Sequence, residues 1–382
     1  MEHILTFASD ALHIAVPFLV VLGLVVFVHE FGHFLVARLS GVRVESFSLG
    51  FGHEIFGWND RYGTRWKVAW LPLGGYVKMF GDSDPTSARV DEKVAALSDD
   101  EKKEAFYTQK VVKRFAIVGA GPVGNYVFAI LVLAALFLVS GQPYTAPVVE
   151  TVLENSVALK AGIKAGDRIL SIDDKAMDSF EDIKRIIALN IGTPIDIVLE
   201  RDGAQQDIHV TPETVHTTDR LGGEHIMGRL GITSSQQAYR QLSPLKALQQ
   251  AVIEAWSLST STLKGVGQMI MGVRGTDELG GPIRIAEMSG KVAREGVAAF
   301  IWFVAVISVN LGLINLFPIP LLDGGHLVFY LAEGLRGRPL SERAQDVGAK
   351  VGLLLVASLM LFATWNDLVH LRVISFLRGL FS

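Results

Sequence analysis

The sequence predicts a polytopic α-helical membrane protein. It has four transmembrane helices, a membrane-associated β-hairpin on the cytoplasmic side and one small α/β domain outside. Three observations carry this. Of the 382 residues, 50% are hydrophobic and only 19% charged, where an ordinary soluble domain carries about a quarter charged residues; mean hydropathy is +0.37. Long apolar runs recur along the chain. Basic residues gather on alternate connections between those runs.

The first run goes from Ala11 to Val28 and continues through residues 29–33 to Leu39; the second is Phe115 to Val139 and the third Val297 to Leu322. The fourth, Val351 to Trp365, needs flanking residues such as Val347 and Gly348 to span, because crossing about 30 Å of hydrocarbon takes roughly 20 helical residues. A cleaved signal peptide would also account for the first run. It has no basic n-region, however, and no A-x-A-like site follows it, so it reads as helix one. Residues 1–28 contain no Lys or Arg, whereas Arg38 and Arg43 follow helix one and Lys110, Lys113 and Arg114 precede helix two. Arg336, Arg338, Arg343 and Lys350 separate helices three and four. Cytoplasmic loops carry the basic excess. The N-terminus and residues 141–296 are therefore expected outside, and loops 38–114 and 333–350 in the cytoplasm. A net charge of −4 gives no reason to expect a nucleic-acid partner. The absence of cysteine excludes disulfides, cysteine-ligated zinc and thiol chemistry.

Four regions follow: 1–140 with helices one and two, 141–235 as the α/β domain, 236–296 as an amphipathic helix and linker, and 297–382 with helices three and four. In the first loop, Trp66, Val68 and Trp70 alternate with Arg65, Lys67 and Ala69, which predicts a strand. Pro72-Leu73-Gly74-Gly75 supplies a turn before a second strand, Tyr76 to Met79. The hairpin either dips toward the membrane or lies on the soluble surface, and the pattern does not choose. Ser83 to Glu104 reads as a solvated, partly helical linker. Within 146–212, Val148 to Val152 is expected as a strand. A helix from Ser179, its cap, is expected to run through Leu189, with strands at Pro194 to Glu200 and Asp207 to Val210. Leu245 to Ile270 reads as an amphipathic helix on the outer membrane face, interrupted by Lys246, Glu254 and Lys264.

Chemistry concentrates at His29-Glu30-Phe31-Gly32-His33. Histidines four apart on a helix project from one face. Neutral imidazoles at that spacing fill two positions of a tetrahedral zinc, and Glu30 is placed to act on water as general base. Zinc lowers the pKa of such water toward about 7. Ionisable side chains at membrane depth are costly, about 2.5–3.5 kcal/mol each, and default to function. The plain alternative is a helix end already outside the bilayer, since Arg38 follows only five residues later. A third protein ligand is needed. Pro318 and Pro320 break helix three ahead of Asp323-Gly324-Gly325-His326. Both Asp323 and His326 are candidates. Asp323 is preferred because it directly follows the break and a carboxylate completes such His-pair sites.

With these motifs in place, the chain resembles the bacterial site-2 proteases of the RseP type. The likeness rests on H-E-x-x-H in the first span and N-x-x-P-x-P-x-L-D-G from Asn315 to Gly324 in the third. It extends to Gly121-Pro122-Val123-Gly124-Asn125, Gly50-Phe51-Gly52, Pro72 to Tyr76 and Leu279 to Ile283. Ala161 to Asp173 resembles a PDZ domain of the bacterial protease type, whose peptide-binding strand would come last, near Gly228 to Ile232. The family implies regulated intramembrane proteolysis. It also implies one zinc per chain, a bacterial inner-membrane location and single-span substrates such as trimmed anti-sigma factors or leftover signal peptides. RseP-type members can carry two tandem PDZ domains, whereas the length here leaves room for one. A substrate helix must unwind before attack, and its freed backbone groups need partners in lipid. Candidate substrate contacts are an exposed strand Arg65–Leu71, with Trp66, Val68 and Trp70, and Asn315. At the PDZ groove Gly231 and Ile232 would receive a peptide or protein C-terminus. Interhelical glue is an equal role for Asn315 and the better one for Asn310 and Asn125. Two other classes are weighed. A transporter would show an inverted repeat between halves, which the sequence lacks. An idle PDZ adaptor would bind no zinc.

Overall fold

The computed structural model describes residues 2–81, 97–218, 224–272, 275 and 280–370. The linker expected at Ser83 to Glu104 falls largely outside them, as does Leu279. In chain order the elements begin with helix α1 (Glu2–Leu39), strands β1 (Val44–Asn59) and β2 (Arg65–Met79), and helices α2 (Asp99–Glu104) and α3 (Val111–Ser140). There follow β3 (Gln142–Thr145), β4 (Thr151–Val152), α4 (Val157–Lys160), β5 (Arg168–Ile172), β6 (Lys175–Ala176), α5 (Phe180–Leu189), β7 (Ile195–Arg201) and β8 (Ala204–Val210). Then come β9 (Glu213–Thr218), β10 (Glu224–Arg229), β11 (Ile232–Thr233), β12 (Gln237–Arg240) and helices α6 (Pro244–Ile270), α7 (Pro282–Glu295), α8 (Val297–Asn315), α9 (Asp323–Arg336) and α10 (Glu342–His370). The chain divides into two compact units. One comprises Met1–Leu136, Leu248–Gly267 and Gly275–Ser382, the other Phe137–Ala247 and Gln268–Arg274.

In the first unit, four helices among the described residues are long and apolar enough to cross a membrane: Leu12–Leu39, Val111–Ser140, Val297–Asn315 and Arg343–Val369. Large apolar side chains such as Leu35, Leu131, Leu354 and Leu361 stay exposed along them, as lipid-facing positions should. Small residues let the helices close up. A Cβ at Gly32 of α1 would collide with the Ala120 carbonyl of α3, and one at Gly124 would stand 3.2 Å from the Val28 carbonyl. Such close approach is how helices associate where lipid removes the hydrophobic drive.

The expected hairpin is larger than its sequence pattern. β1, which period-two reasoning did not find, pairs with β2 twice. Val44 to Leu49 lies antiparallel against Met79 to Gly75, and Glu54 to Asn59 lies against Ala69 to Arg65. Ser46 to Leu49 also sits beside Arg65 to Val68. Arg65–Leu71 is thus an inner strand, and the expectation that it offers a free edge is corrected. The alternation at Trp66, Val68 and Trp70 marks a two-faced inner strand, which pattern alone cannot tell from an edge. Trp66 stacks on Phe47 (4.4 Å) and Trp58 (5.8 Å) and donates to Asp60. Arg38, at the end of α1, donates to the same Asp60 carboxylate at 2.6 Å, tying sheet to helix.

Helix α6 also departs from expectation. Its small residues Ala251, Ala255 and Ser259 are buried, while Leu248, Val252, Trp256 and Leu263 are exposed. Tyr126 of α3 bonds Ser259 at 2.9 Å, and Thr262 donates to Asn310 of α8 at 2.9 Å. The helix therefore lies along α3 and α8, inverted relative to an amphipathic helix resting on a surface. The third apolar run proves to be α8 followed by a broken turn, and α7 and α9 were not expected as separate helices.

The second unit has a four-stranded antiparallel sheet in the order β6-β5-β7-β8, with two-stranded pairs β9–β10, β4–β11 and β3–β12. Its core gathers Val149, Ile163, Ile169, Ile172, Phe180, Ile183, Ile197 and Leu199. Ser179 caps α5 as its sequence implies, accepting from the Asp182 N–H. Asp202 and Gly203 take positive φ at the β7–β8 turn. The strand expected at Val148 to Val152 is shorter, β4 proper being only Thr151–Val152.

Candidate metal centre

Helix α1 turns His29 and His33 to one side, where their rings meet edge to face with centroids 4.9 Å apart. The Nε2 atoms are 3.3 Å apart. Asp323 arrives from the broken segment after α8. Its Oδ2 lies 3.1 Å from His29 Nε2 and 3.5 Å from His33 Nε2. These are the residues the sequence singled out, and they form the metal-binding type of cluster found among the described residues. His326, the rival third ligand, lies one turn further along α9 and outside that cluster.

The turn that delivers Asp323 depends on close backbone packing. Leu316 to Leu322 leaves the helix, and Leu321 adopts φ 86°, a conformation that costs a branched residue free energy. A Cβ on Gly324 would strike the carbonyls of Leu316 and Phe317, and one on Gly325 would stand 2.5 Å from the Ile319 carbonyl. Asp323 opens α9, where the helix dipole favours a carboxylate. Gly352 of α10 packs directly on the Pro320 carbonyl, backing the turn from behind.

The donor set fits zinc. With bonds of 2.0–2.2 Å in a tetrahedron, ligand atoms stand about 3.3–3.6 Å apart, close to the three separations here. Asp323 Oδ2 is buried and makes no hydrogen bond despite two imidazole nitrogens within 3.5 Å, as expected of an atom directed at a shared cation. The outer nitrogens are held as well. His33 Nδ1 is 2.9 Å from the Ile117 carbonyl and His29 Nδ1 is 3.2 Å from the Asn125 side chain.

A cavity of about 220 Å³ opens over this cluster, lined by Glu30, Phe51, Gly75, Tyr76, Val77, Asn315 and Asp323 among others. Asn315, the candidate clamp, is therefore at the site. Trp66, Val68 and Trp70 are not among the lining residues; Trp66 is a packing residue, while Val68 and Trp70 are exposed elsewhere. The sheet reaches the cavity through Gly75 to Met79 instead. A Cβ on Gly75 would come within 3.0 Å of Glu30 Cγ and 2.6 Å of the Ser48 carbonyl. Gly121 of α3 was likewise missed as a site residue: a Cβ there would stand 2.9 Å from His29 Cε1 and overlap His33. The small-residue spacing of Gly32, Gly121 and Gly124 was the available signal. In the second unit, Gly231 and Ile232 are paired along one side, to β4 and the residue that follows it. The Gly231 carbonyl accepts from Leu153 N–H, and Ile232 pairs with Val152.

A His-x-x-x-His pair with an adjoining glutamate on an apolar spanning helix, completed by an aspartate at a helix break, defines an integral-membrane zinc metalloprotease. Residues 17–359 match the family model described as Peptidase family M50, and the chain belongs to that family. It is similar to the regulator of sigma-E protease RseP from Salmonella typhimurium, 31% identical over 93% of this chain and 98% of that one. The metalloprotease MmpA of Caulobacter vibrioides is 37% identical over 96% of this chain and 98% of its own. A provisionally named zinc metalloprotease from Rhizobium meliloti is 44% identical, covering 94% and 97%. A PDZ domain of the SdrC-like protein from Listeria monocytogenes matches 24% of this chain and 88% of its own at 22% identity. Its TM-score of 0.19 is too low to carry weight.

Proposed function

We propose that this metalloprotease is an intramembrane endopeptidase with one zinc per chain, held by His29, His33 and Asp323. It hydrolyses peptide bonds in the membrane-spanning segments of single-span proteins, such as trimmed anti-sigma factors or leftover signal peptides. The observation that carries this is the convergence of the three donor atoms, with Glu30 beside them, where His29, Glu30 and His33 lie on a helix long and apolar enough to span. Bound zinc supplies Lewis acidity, acidifying water and polarising a carbonyl. Glu30 is the general base: its carboxylate takes a proton from the attacking water and returns it to the departing amine. Gly75 keeps the sheet clear of that carboxylate.

A helical substrate hides its peptide bonds and must be extended before attack, which leaves N–H and C=O groups to satisfy. Strand β2 from Gly75 to Met79 is bonded to β1 on one side and lines the cavity on the other, so an unwound segment can add to it as a further strand. Asn315 is a candidate to hold the same segment by its amide. The charge asymmetry of the loops favours a cytoplasmic sheet and an extracytoplasmic, PDZ-like second unit in a bacterial inner membrane. That unit is proposed to screen substrates or engage a protein C-terminus.

The test uses the purified full chain and a model single-span substrate. Wild type should hold one zinc and cleave it, while Glu30→Gln should keep the zinc and lose at least about a thousandfold in rate. Unchanged turnover in Glu30→Gln, or wild type without stoichiometric zinc, would overturn the assignment.

A further inference from the structure

Asn125 of α3 is fully buried, with its Nδ2 atom 3.2 Å from His29 Nδ1 and its Oδ1 atom buried with no hydrogen-bond partner. An amide nitrogen only donates. With Nδ2 facing the ring, His29 Nδ1 must accept, which puts the ring hydrogen on Nε2, the atom that faces Asp323 and His33. That tautomer cannot give Nε2 to a metal. Turning the amide about its last bond exchanges O and N at the same positions, and the two orientations are told apart only by their hydrogen bonds. In the turned orientation the carbonyl faces the ring and the previously orphaned oxygen gains a partner.

His33 supplies the internal comparison. Its Nδ1 lies 2.9 Å from the Ile117 carbonyl, which can only accept. His33 therefore carries its hydrogen on Nδ1 and leaves Nε2 with a lone pair toward the cluster. The second histidine needs an equivalent acceptor, and Asn125 holds the position where one would act.

Resting on the zinc site proposed above, we propose that Asn125 is a positioning residue for it. Its side-chain carbonyl accepts from His29 Nδ1–H, fixing the tautomer and the ring angle that present Nε2 to the metal. The residue is well anchored for this. Ser308 of α8 donates to the Asn125 backbone carbonyl at 3.0 Å, and Gly124 beside it packs on α1. The residue thus meets α1 through its side chain and α8 through its backbone, from its own place on α3. Interhelical glue, the competing role, requires neither this orientation nor any effect on the metal.

The experiment measures zinc affinity by chelator competition on the full chain in detergent, together with thermal unfolding of the metal-free protein. Asn125→Leu keeps the size and removes the acceptor, and should weaken zinc about 10–100-fold, the usual cost of losing a ligand's hydrogen-bond partner. Asn125→Asp keeps an acceptor and should stay within about threefold of wild type. Zinc affinity unchanged in Asn125→Leu, with only the metal-free unfolding temperature lowered, would establish the glue role and overturn the proposal. So would Asn125→Asp binding as poorly as Asn125→Leu. A wild type that holds no zinc would instead strike at the site itself. A measurement on wild type alone covers a variant that fails to fold: ¹⁵N spectra of the metal-free protein at a pH where His29 is neutral should show His29 as the Nδ1–H tautomer, and an Nε2–H tautomer would refute it.

Discussion

Gly121 and Gly75 occupy the two walls between which His29, His33 and Glu30 fit. One methyl at Gly121 presses on both imidazoles. Gly121→Ala should therefore weaken zinc at least about tenfold with little change in expression, as read by metal content after desalting. Gly75→Val presses on Glu30 and on the Ser48 carbonyl but not on the ligands. It should retain zinc and lose cleavage, a split that assays of the two properties on one sample will reveal. Equal loss of both would assign Gly75 to folding alone. Removing zinc with a strong chelator should abolish cleavage, and stoichiometric zinc should restore it. His29, Glu30 and His33 were legible in the sequence because a helix places residues four apart on one face. The glycines were not, since what they avoid belongs to other helices.

Among the elements, α7 and α10 are joined by an interaction that no local pattern announces. Asp367, 2% exposed on α10, accepts from the backbone N–H groups of Gly281, Ile283 and Arg284 at the start of α7. It caps a helix in a different part of the chain, with Pro282 at the first turn where its missing N–H costs nothing. Asp367→Ala strands buried donors and should cost about 1–3 kcal/mol. The midpoint of thermal unfolding in detergent should fall, with Asp367→Asn closer to wild type. Sequence reading found Pro282 but not its cap, because a capping side chain is normally sought next to the helix. Helix α6 was found without its packing partners for a related reason. A hydrophobic stripe identifies amphipathicity, but not whether the stripe faces lipid or protein.

For the whole molecule, each unit rests on a different kind of interior. The first is held by close helix packing and a few polar ties. The second has a compact apolar core and, among its described residues, an ion pair between the buried Asp167 and Arg201 at 2.6 Å. Burial alone would raise the Asp167 carboxyl, but the Arg201 guanidinium and the Lys164 backbone N–H outweigh it and hold it below its ordinary value of 3.8. A depressed carboxyl in the folded state adds stability above the ordinary value, and that contribution is lost as pH falls through 3.8 toward the lowered one. The stability difference between wild type and Asp167→Asn should thus be constant near neutrality and shrink below about pH 4. Denaturant midpoints across that range will read it, and a difference independent of pH would remove Asp167 from the account.

By itself the sequence determined the properties written in short-range period and composition. These are four helices long and apolar enough to span, the His29/His33 pair with its adjoining glutamate, and the proline break ahead of Asp323. Hydrocarbon thickness, helical pitch and the missing proline N–H act within one segment, so one segment suffices to read them. Tertiary structure decided everything that depends on what one segment meets. It made Arg65–Leu71 an inner strand and brought Gly75 to Met79 to the cavity. It selected Asp323 over His326 for the cluster, and it placed Asn125 against His29. Each of these outcomes is set by distances between residues far apart in the chain, which packing fixes and local pattern does not encode.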